Sequence, residues 1–510
     1  MDGNQLRMDA LNGQLSVQQL DQLLDALDRQ QATSEQQQRT IEQQQATIEQ
    51  LSEEVQRLKE RLARLTGGGE RRPPAPATGG AAGPTGQNYS LSAEERRRRK
   101  RRKKKSPGRR PNELKFSQAA RCEDVFPEGI DRDDCRLLRE RAVWRLEEGK
   151  AVLVGYRIFV GPGGKEGRID GVTPRCEYGI EILVVLAHLV YIIGISLDKA
   201  CAVLAFFCQL PLSKSQADAL LRQLAQHWNE EFVTLCDLLA YAAVVYMDET
   251  SWKVGKDWLS LWALASDLVR VFVYGCNRNK ETLDLLLPPD VFEGIGVSDN
   301  AAVYGNRFRM AQKCWAHLLR KAIKLALLHP RRKKYRRFLD ELLSIYRDGK
   351  RAAADGRLGE AGRKKQVAEL EGRLAELCRP HWRDVTPEMA DHECDFARFV
   401  NELAECMLDE ELFTFVLHPQ VEPTNNKMER LQRSSALDRE AGRTSKTPAG
   451  AYRRSVIVSV LESLRANLEC FTLASVLTEV KQWMKEGLSL FARKWQELLE
   501  ARPELEANTS

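Results

Sequence analysis

Between residues 20 and 65 apolar side chains recur on a seven-residue repeat. Leu20, Leu27, Ile41, Ile48, Val55 and Leu62 hold one position, and Leu23, Leu51, Leu58 and Leu65 the position three further on. Apolar residues at both positions over several heptads predict a coiled coil, whose usual use is self-association. Gln30, Ser34, Gln37 and Gln44 interrupt the seam in its middle. A single solvated helix in a Gln-rich tract is the plainer alternative. The pattern then stops, and residues 67–87 are mostly Gly, Pro, Ala and Thr with nothing to bury, which marks a linker.

Residues 112–176 carry no usable motif. The stretch 132–149 reads as helical and 151–160 (AVLVGYRIFV) as a strand or two. From 177 to 240 the period is helical. Residues 183–195 are an apolar run of about 13 that contains His188. Spanning a bilayer takes roughly 20 such residues, so the run reads as a buried helix. Two short helical segments follow, broken at Pro211 and Leu212, with Ser213 placed to cap the second. This fits a helix-turn-helix whose second helix would face DNA. A plain packing pair of helices fits it equally.

Three runs of β-type residues come next, at 243–247, 258–265 and 269–274. A helix over 279–287 is stopped by Pro288 and Pro289, and a strand over 293–298 leads to an amphipathic helix over 313–328. The first strand ends at Asp248 and a turn. Alternation points Glu249 away from Asp248. Asp257 and Asp267 fall at the ends of neighbouring strands, so all three acids are left out of any site. The order β-β-β-α-β-α is that of the ribonuclease H-like fold, an α/β class with a mixed sheet, in which the first and fourth strands are neighbours. The chain thus divides into a coiled coil (1–66), a linker with a basic arm (67–111), an undefined segment (112–176) and a helical unit (177–240). An α/β core in two pieces (241–334 and 411–480) surrounds a helical insertion (335–410), and a helix and tail (481–510) close the chain.

Net charge is only +6, but its placement is uneven. Residues 93–115 hold thirteen Lys and Arg against three Glu, including an unbroken basic run at 96–105. Residues 307–337 hold twelve and no acid, and residues 427–454 eight against three. Such concentration in an otherwise acidic chain points to a polyanion, most simply nucleic acid. The run at 96–105 reads as a phosphate-binding arm, or as a solvated tail without a dedicated partner. The twelve cysteines are scattered with no Cys-x-x-Cys pair, which suits reduced thiols in an intracellular protein. The N-terminal residues do not read as a signal peptide, so a cytoplasmic, nucleoid-associated location is expected, or a nuclear one in a nucleated cell.

The candidate chemistry lies in three acids. Asp248 and Asp299 stand at the ends of the first and fourth strands, and Glu429 in the first turns of a helix that follows Asn425 and Asn426. Three converging carboxylates repel one another and need cations. Oxygen ligands suit Mg²⁺ or Mn²⁺, and two such ions can activate a water or a 3′-hydroxyl against a phosphodiester. Each acid also has an ordinary reading: a turn-initiating Asp248, an Asp299–Asn300 turn, a capping box between Asn426 and Glu429. His317 could assist at phosphate, or simply be satisfied by a neighbour on its helix.

Four stretches together resemble the insertion sequence 66 family of transposases, of the DDE class. They are MDETSW at 247–252, VSDNAAVYG at 297–305 with KCWAHLLRK at 313–321, NNKMERLQR at 425–433, and GRTSKTPAGAYRRSVIVSVLESLRAN at 442–467. The resemblance implies that Asp248, Asp299 and Glu429 are the metal-binding catalytic triad. It also implies that the activity is cutting and joining double-stranded DNA at element ends. Arg320, Lys321, Lys324, Arg430, Arg433, Arg443 and Lys446 are then the expected DNA contacts. Family members often carry a zinc-binding cysteine segment ahead of the core. Cys122, Cys135 and Cys176 lack metal spacing, so no zinc is expected, and Thr424 replaces an Asp of the family pattern. An inactive, domesticated DNA-binding protein and a nuclease that cuts without joining are the rival readings.

Overall fold

The computed structural model describes residues 111–305 and 307–501. The expected coiled coil at 20–65 with its self-association, the linker, the basic run at 96–105 and residues 502–510 lie outside them.

After a short helix, α1 (Asn112–Phe116), come strands β1 (Arg121–Val125), β2 (Arg136–Glu147) and β3 (Lys150–Val160). They form one sheet in the order β1-β3-β2, with β1 parallel and β2 antiparallel to β3. The helix expected over 132–149 is therefore mostly a strand, whereas 151–160 is a strand as expected. The Arg, Glu and Leu of β2 favour helix locally. Pairing with β3, from Arg136 opposite Val160 to Glu147 opposite Lys150, overrides that preference. Glu148 and Gly149, at φ 48° and 80°, make the tight turn that fixes the register.

Helix α2 (Ile180–Ala187) continues into a π-helical turn at His188–Ile192. The apolar run of this region is buried at Leu183, Val184, Leu186 and Ala187. Among the described residues no helix is long and apolar enough to cross a membrane. Helices α3 (Leu197–Phe207), α4 (Lys214–His227) and α5 (Asn229–Ala240) follow. Ser213 caps α4 in a reciprocal capping box with Gln216.

A five-stranded sheet is built from β4 (Val244–Val254), β5 (Asp257–Ala265), β6 (Arg270–Cys276), β7 (Ile295–Ser298) and β8 (Met310–Lys313), in the order β6-β5-β4-β7-β8. The first three form the expected antiparallel meander, and β7 runs parallel beside β4. Helix α6 (Lys280–Leu286), capped by the Asn279 side chain, links β6 to β7. Two details correct the sequence reading. β4 does not turn at Asp248, which pairs with Ala263 in mid-strand; the turn comes at Gly255, where φ is +63°. Residues 310–313 form a further strand, and the helix expected from 313 begins at Trp315 as α7 (Trp315–Leu328).

Helices α8 (Lys333–Ala354), α9 (Glu360–Cys378) and α10 (Asp391–Leu408) occupy the stretch read as a helical insertion. α8 and α10 share an aromatic core of Tyr335, Phe338, Phe396 and Phe399 and pack on α7, while α9 packs on α8 and α10. The short α11 (Thr414–Leu417) precedes α12 (Asn426–Glu440), α13 (Pro448–Asn467), α14 (Leu473–Glu486) and α15 (Leu490–Ala501).

α13 closes the open edge of the large sheet. The hydroxyls of Ser455, Ser459 and Ser463 accept the amides of Tyr274, Phe272 and Arg270 in β6, at 2.9, 2.8 and 2.9 Å. One small hydroxyl per helical turn lets the helix lie close enough to satisfy edge donors that would otherwise be open. On the far edge the Gln312 amide bonds Leu412 O at 3.0 Å and Phe415 N at 2.9 Å.

Candidate active site

Parallel pairing of β4 and β7 sets Val244 opposite Ile295 and Tyr246 opposite Val297. Asp248 stands two residues past Tyr246, and Asp299 two past Val297. The same register therefore carries both carboxylates off the paired segment as neighbours. α12 is clamped across β4 at this point. Asn425 Nδ2 donates to Met247 O at 2.6 Å, and Gln432 Nε2 donates to Asp248 O at 2.7 Å. Glu429 lies four residues after the one and three before the other, on the same helix face.

The ordinary readings of these acids fare unequally. Asp299 Oδ1 does accept from Ala301 N at 3.0 Å, as an Asp turn requires. Asp248 initiates no turn. Asn425 holds the N-cap position, but its side chain makes no capping bond. Glu429 closes no capping box with Asn426: its Oε1 lies 2.5 Å from Arg320 Nη2 and 3.7 Å from His317 Nε2. His317 thus has a carboxylate neighbour, while its Nδ1 is buried without a hydrogen-bond partner among the described residues.

The electrostatics bind the group together. Burial pushes the Asp248 carboxyl up to about 7, and the charges of Glu249, Asp299 and Glu429 push the same way. Glu249 was expected to turn away. Its buried carboxylate takes the Tyr304 hydroxyl and Arg278, with Nη2 at 2.5 Å, and its charge acts on Asp248. Burial still raises its proton affinity, against the Tyr304 bond, and Asp299 adds to the rise. Glu249, Tyr304, Arg278, Asn425 and Gln432 are the residues of this site that sequence reasoning missed. Asn425 and Gln432 had one readable signal, a helical spacing that shares the face of Glu429.

The expected DNA contacts divide in two. Arg320 is held by Glu429, Lys321 by Glu402 of α10 at 2.5 Å, and Arg443 by Asp438 at 3.0 Å. Glu402 also accepts from Asn300 at 3.1 Å, so the insertion touches the residue beside Asp299. Lys324, Arg430, Arg433 and Lys446 are exposed, with no ion-pair partner among the described residues.

Asp248, Asp299 and Glu429 offer only oxygen, the donor that hard divalent cations take. Asn425 Oδ1, against the backbone next to Asp248, is buried with no partner among the described residues. In chemistry the donor set therefore fits such a cation. In spacing, no three His, Cys, Asp or Glu side chains among the described residues stand ready to hold a metal together, and Glu429 is engaged by Arg320.

The acids of this mixed α/β chain thus lie where two parallel strands meet a crossing helix. Residues 175–453, more than half of the chain, match the family described as Transposase IS66 family, and the chain belongs to that family. No curated protein matches it.

Proposed function

We propose that this chain is a DNA transposase that cuts a strand at the end of a mobile element and joins the freed 3′-hydroxyl to target DNA. What supports the reading is that Asp248 feels the charges of Asp299 and Glu429, with the β4–β7 register and the Asn425 and Gln432 bonds bringing their elements together. On this reading residues 241–334 and 411–480 form a ribonuclease H-like core and 335–410 its insertion. The sheet order β6-β5-β4-β7-β8, a meander with parallel strands added beside its first member, supports that assignment.

Asp248, Asp299 and Glu429 would hold Mg²⁺ or Mn²⁺, two ions on the sequence reading. When bound, these ions favour the attacking oxygen and stabilise the leaving one. The chain's own residues do the rest. Lys324, Arg430, Arg433 and Lys446 take phosphates and set the register of the duplex. Arg320, paired with Glu429 beside His317, gives the acid up when a cation binds. Asn425 and Gln432 hold α12 at a fixed height over β4, so that the acids keep their spacing. Self-association through residues 20–65 would bring two element ends to one assembly.

The test is incubation of the purified protein with Mg²⁺ and labelled DNA that carries the element's terminal repeats. Cut and joined products are expected, both abolished by Asp248→Asn, Asp299→Asn or Glu429→Gln while DNA binding persists. An Asp248→Asn protein that cuts and joins like wild type refutes the assignment. Wild type that binds without cutting favours the inactive DNA-binding reading, and cutting without joining favours a nuclease.

A further inference from the structure

The β4–β5 hairpin runs on past the acids to a tip that the site described above does not use. At that tip Trp258 is 64% exposed. It stands opposite Lys253 across the strand pair, with the Lys253 ammonium 5.7 Å from its ring centre. Lys256 in the turn is exposed, and Asp257 is the acid between it and Trp258. The tip is not a loose flap. Gly255 N donates to Ser445 O at 2.9 Å, Val254 bridges Ser445, and buried Trp252 donates to Ser445 Oγ at 3.1 Å. These bonds hold the turn against exposed Lys446, whose carbonyl lies beside Gly255.

A large aromatic ring held outward on a rigid hairpin among Lys253, Lys256 and Lys446 matches one kind of partner well. Base faces stack on such rings, and the flanking phosphates need cations. A paired duplex hides its base faces, so the ring suits an unpaired stretch. We infer that the hairpin tip is a contact for single-stranded DNA next to the cut, with Trp258 stacking on a base and Lys253 and Lys256 taking adjacent phosphates. The inference rests on the DNA activity proposed above. It also fixes a distance. Lys253 stands five residues beyond Asp248 along β4, roughly 17 Å at about 3.3 Å per residue. At about 3.4 Å per nucleotide the stacked base is roughly the fifth from the scissile phosphate.

Two probes test this with the full chain: a blunt duplex, and the same duplex with a short single-stranded flank carrying 2-aminopurine at successive positions. Wild type should quench the fluorescence most strongly near the fifth nucleotide. Trp258→Ala should abolish that quenching and weaken the flanked probe roughly five- to a hundred-fold, the range for loss of one stacked base. Its affinity for the blunt duplex should hold within about two-fold, because phosphate contacts dominate there. Trp258→Phe should keep most of the affinity. Equal losses on both probes, or no loss on either, overturn the inference while leaving the proposed function standing. If wild type binds neither probe, the proposed function falls and this contact with it.

Discussion

Replacing Asp248 with Asn should make the folded protein more stable, by an amount set by pH. An aspartate ordinarily titrates near 3.8, and here the folded-state value rises to about 7. Between those values the native chain holds one proton more than the unfolded chain. Its stability therefore falls by about 1.4 kcal/mol for each pH unit. Below the unfolded value the carboxyl is neutral in both states and costs nothing. Above the folded value the full loss stands, at most about 4 kcal/mol. Asn has the shape of the protonated acid and never ionises. Urea unfolding should thus give Asp248→Asn and wild type similar stability near pH 4, and the variant an advantage approaching about 4 kcal/mol near pH 8. Mg²⁺ added near pH 8 should recover part of the wild-type deficit by binding the native state and should do little for the variant. Parallel pH profiles for the two proteins would refute the argument, because they would mean that neither burial nor the neighbouring acids raise Asp248.

Asp438→Ala removes the partner of buried Arg454, which lies over the rings of Trp252 at 4.8 Å and Tyr274 at 5.2 Å. Stranding that guanidinium should lower stability by about 3–5 kcal/mol, read as a fall in the urea midpoint. The Arg320–Glu429 pair is partly exposed, so Arg320→Ala should change stability by under about 1 kcal/mol. Freed of its partner, Glu429 should bind Mg²⁺ more tightly in calorimetric titration. Weaker binding would show that Arg320 positions the acid rather than competing for it.

Alternation and turn residues were enough to give the meander, the strand that ends at Asp299 and the helices of the insertion, because those elements bury faces written in their own periodicity. The spacing of small hydroxyls at Ser455, Ser459 and Ser463 was equally legible as a close-packed helix face. Its partner strand, nearly two hundred residues earlier in the chain, was not. Local preference misled at Arg136–Glu147, where helix-forming side chains yield to a hairpin whose turn at Glu148 and Gly149 is easily overlooked. It also misled at Glu249. Alternation gave no sign of the Tyr304 and Arg278 that hold its buried carboxylate in the field of Asp299. The sequence by itself determined which acids were available and which elements carry them. Only the tertiary structure decided that β4 and β7 run in a register that makes Asp248 and Asp299 neighbours, and that Glu429 faces Arg320 rather than its own helix end. Those choices depend on contacts between residues far apart in the chain, and no local pattern encodes them.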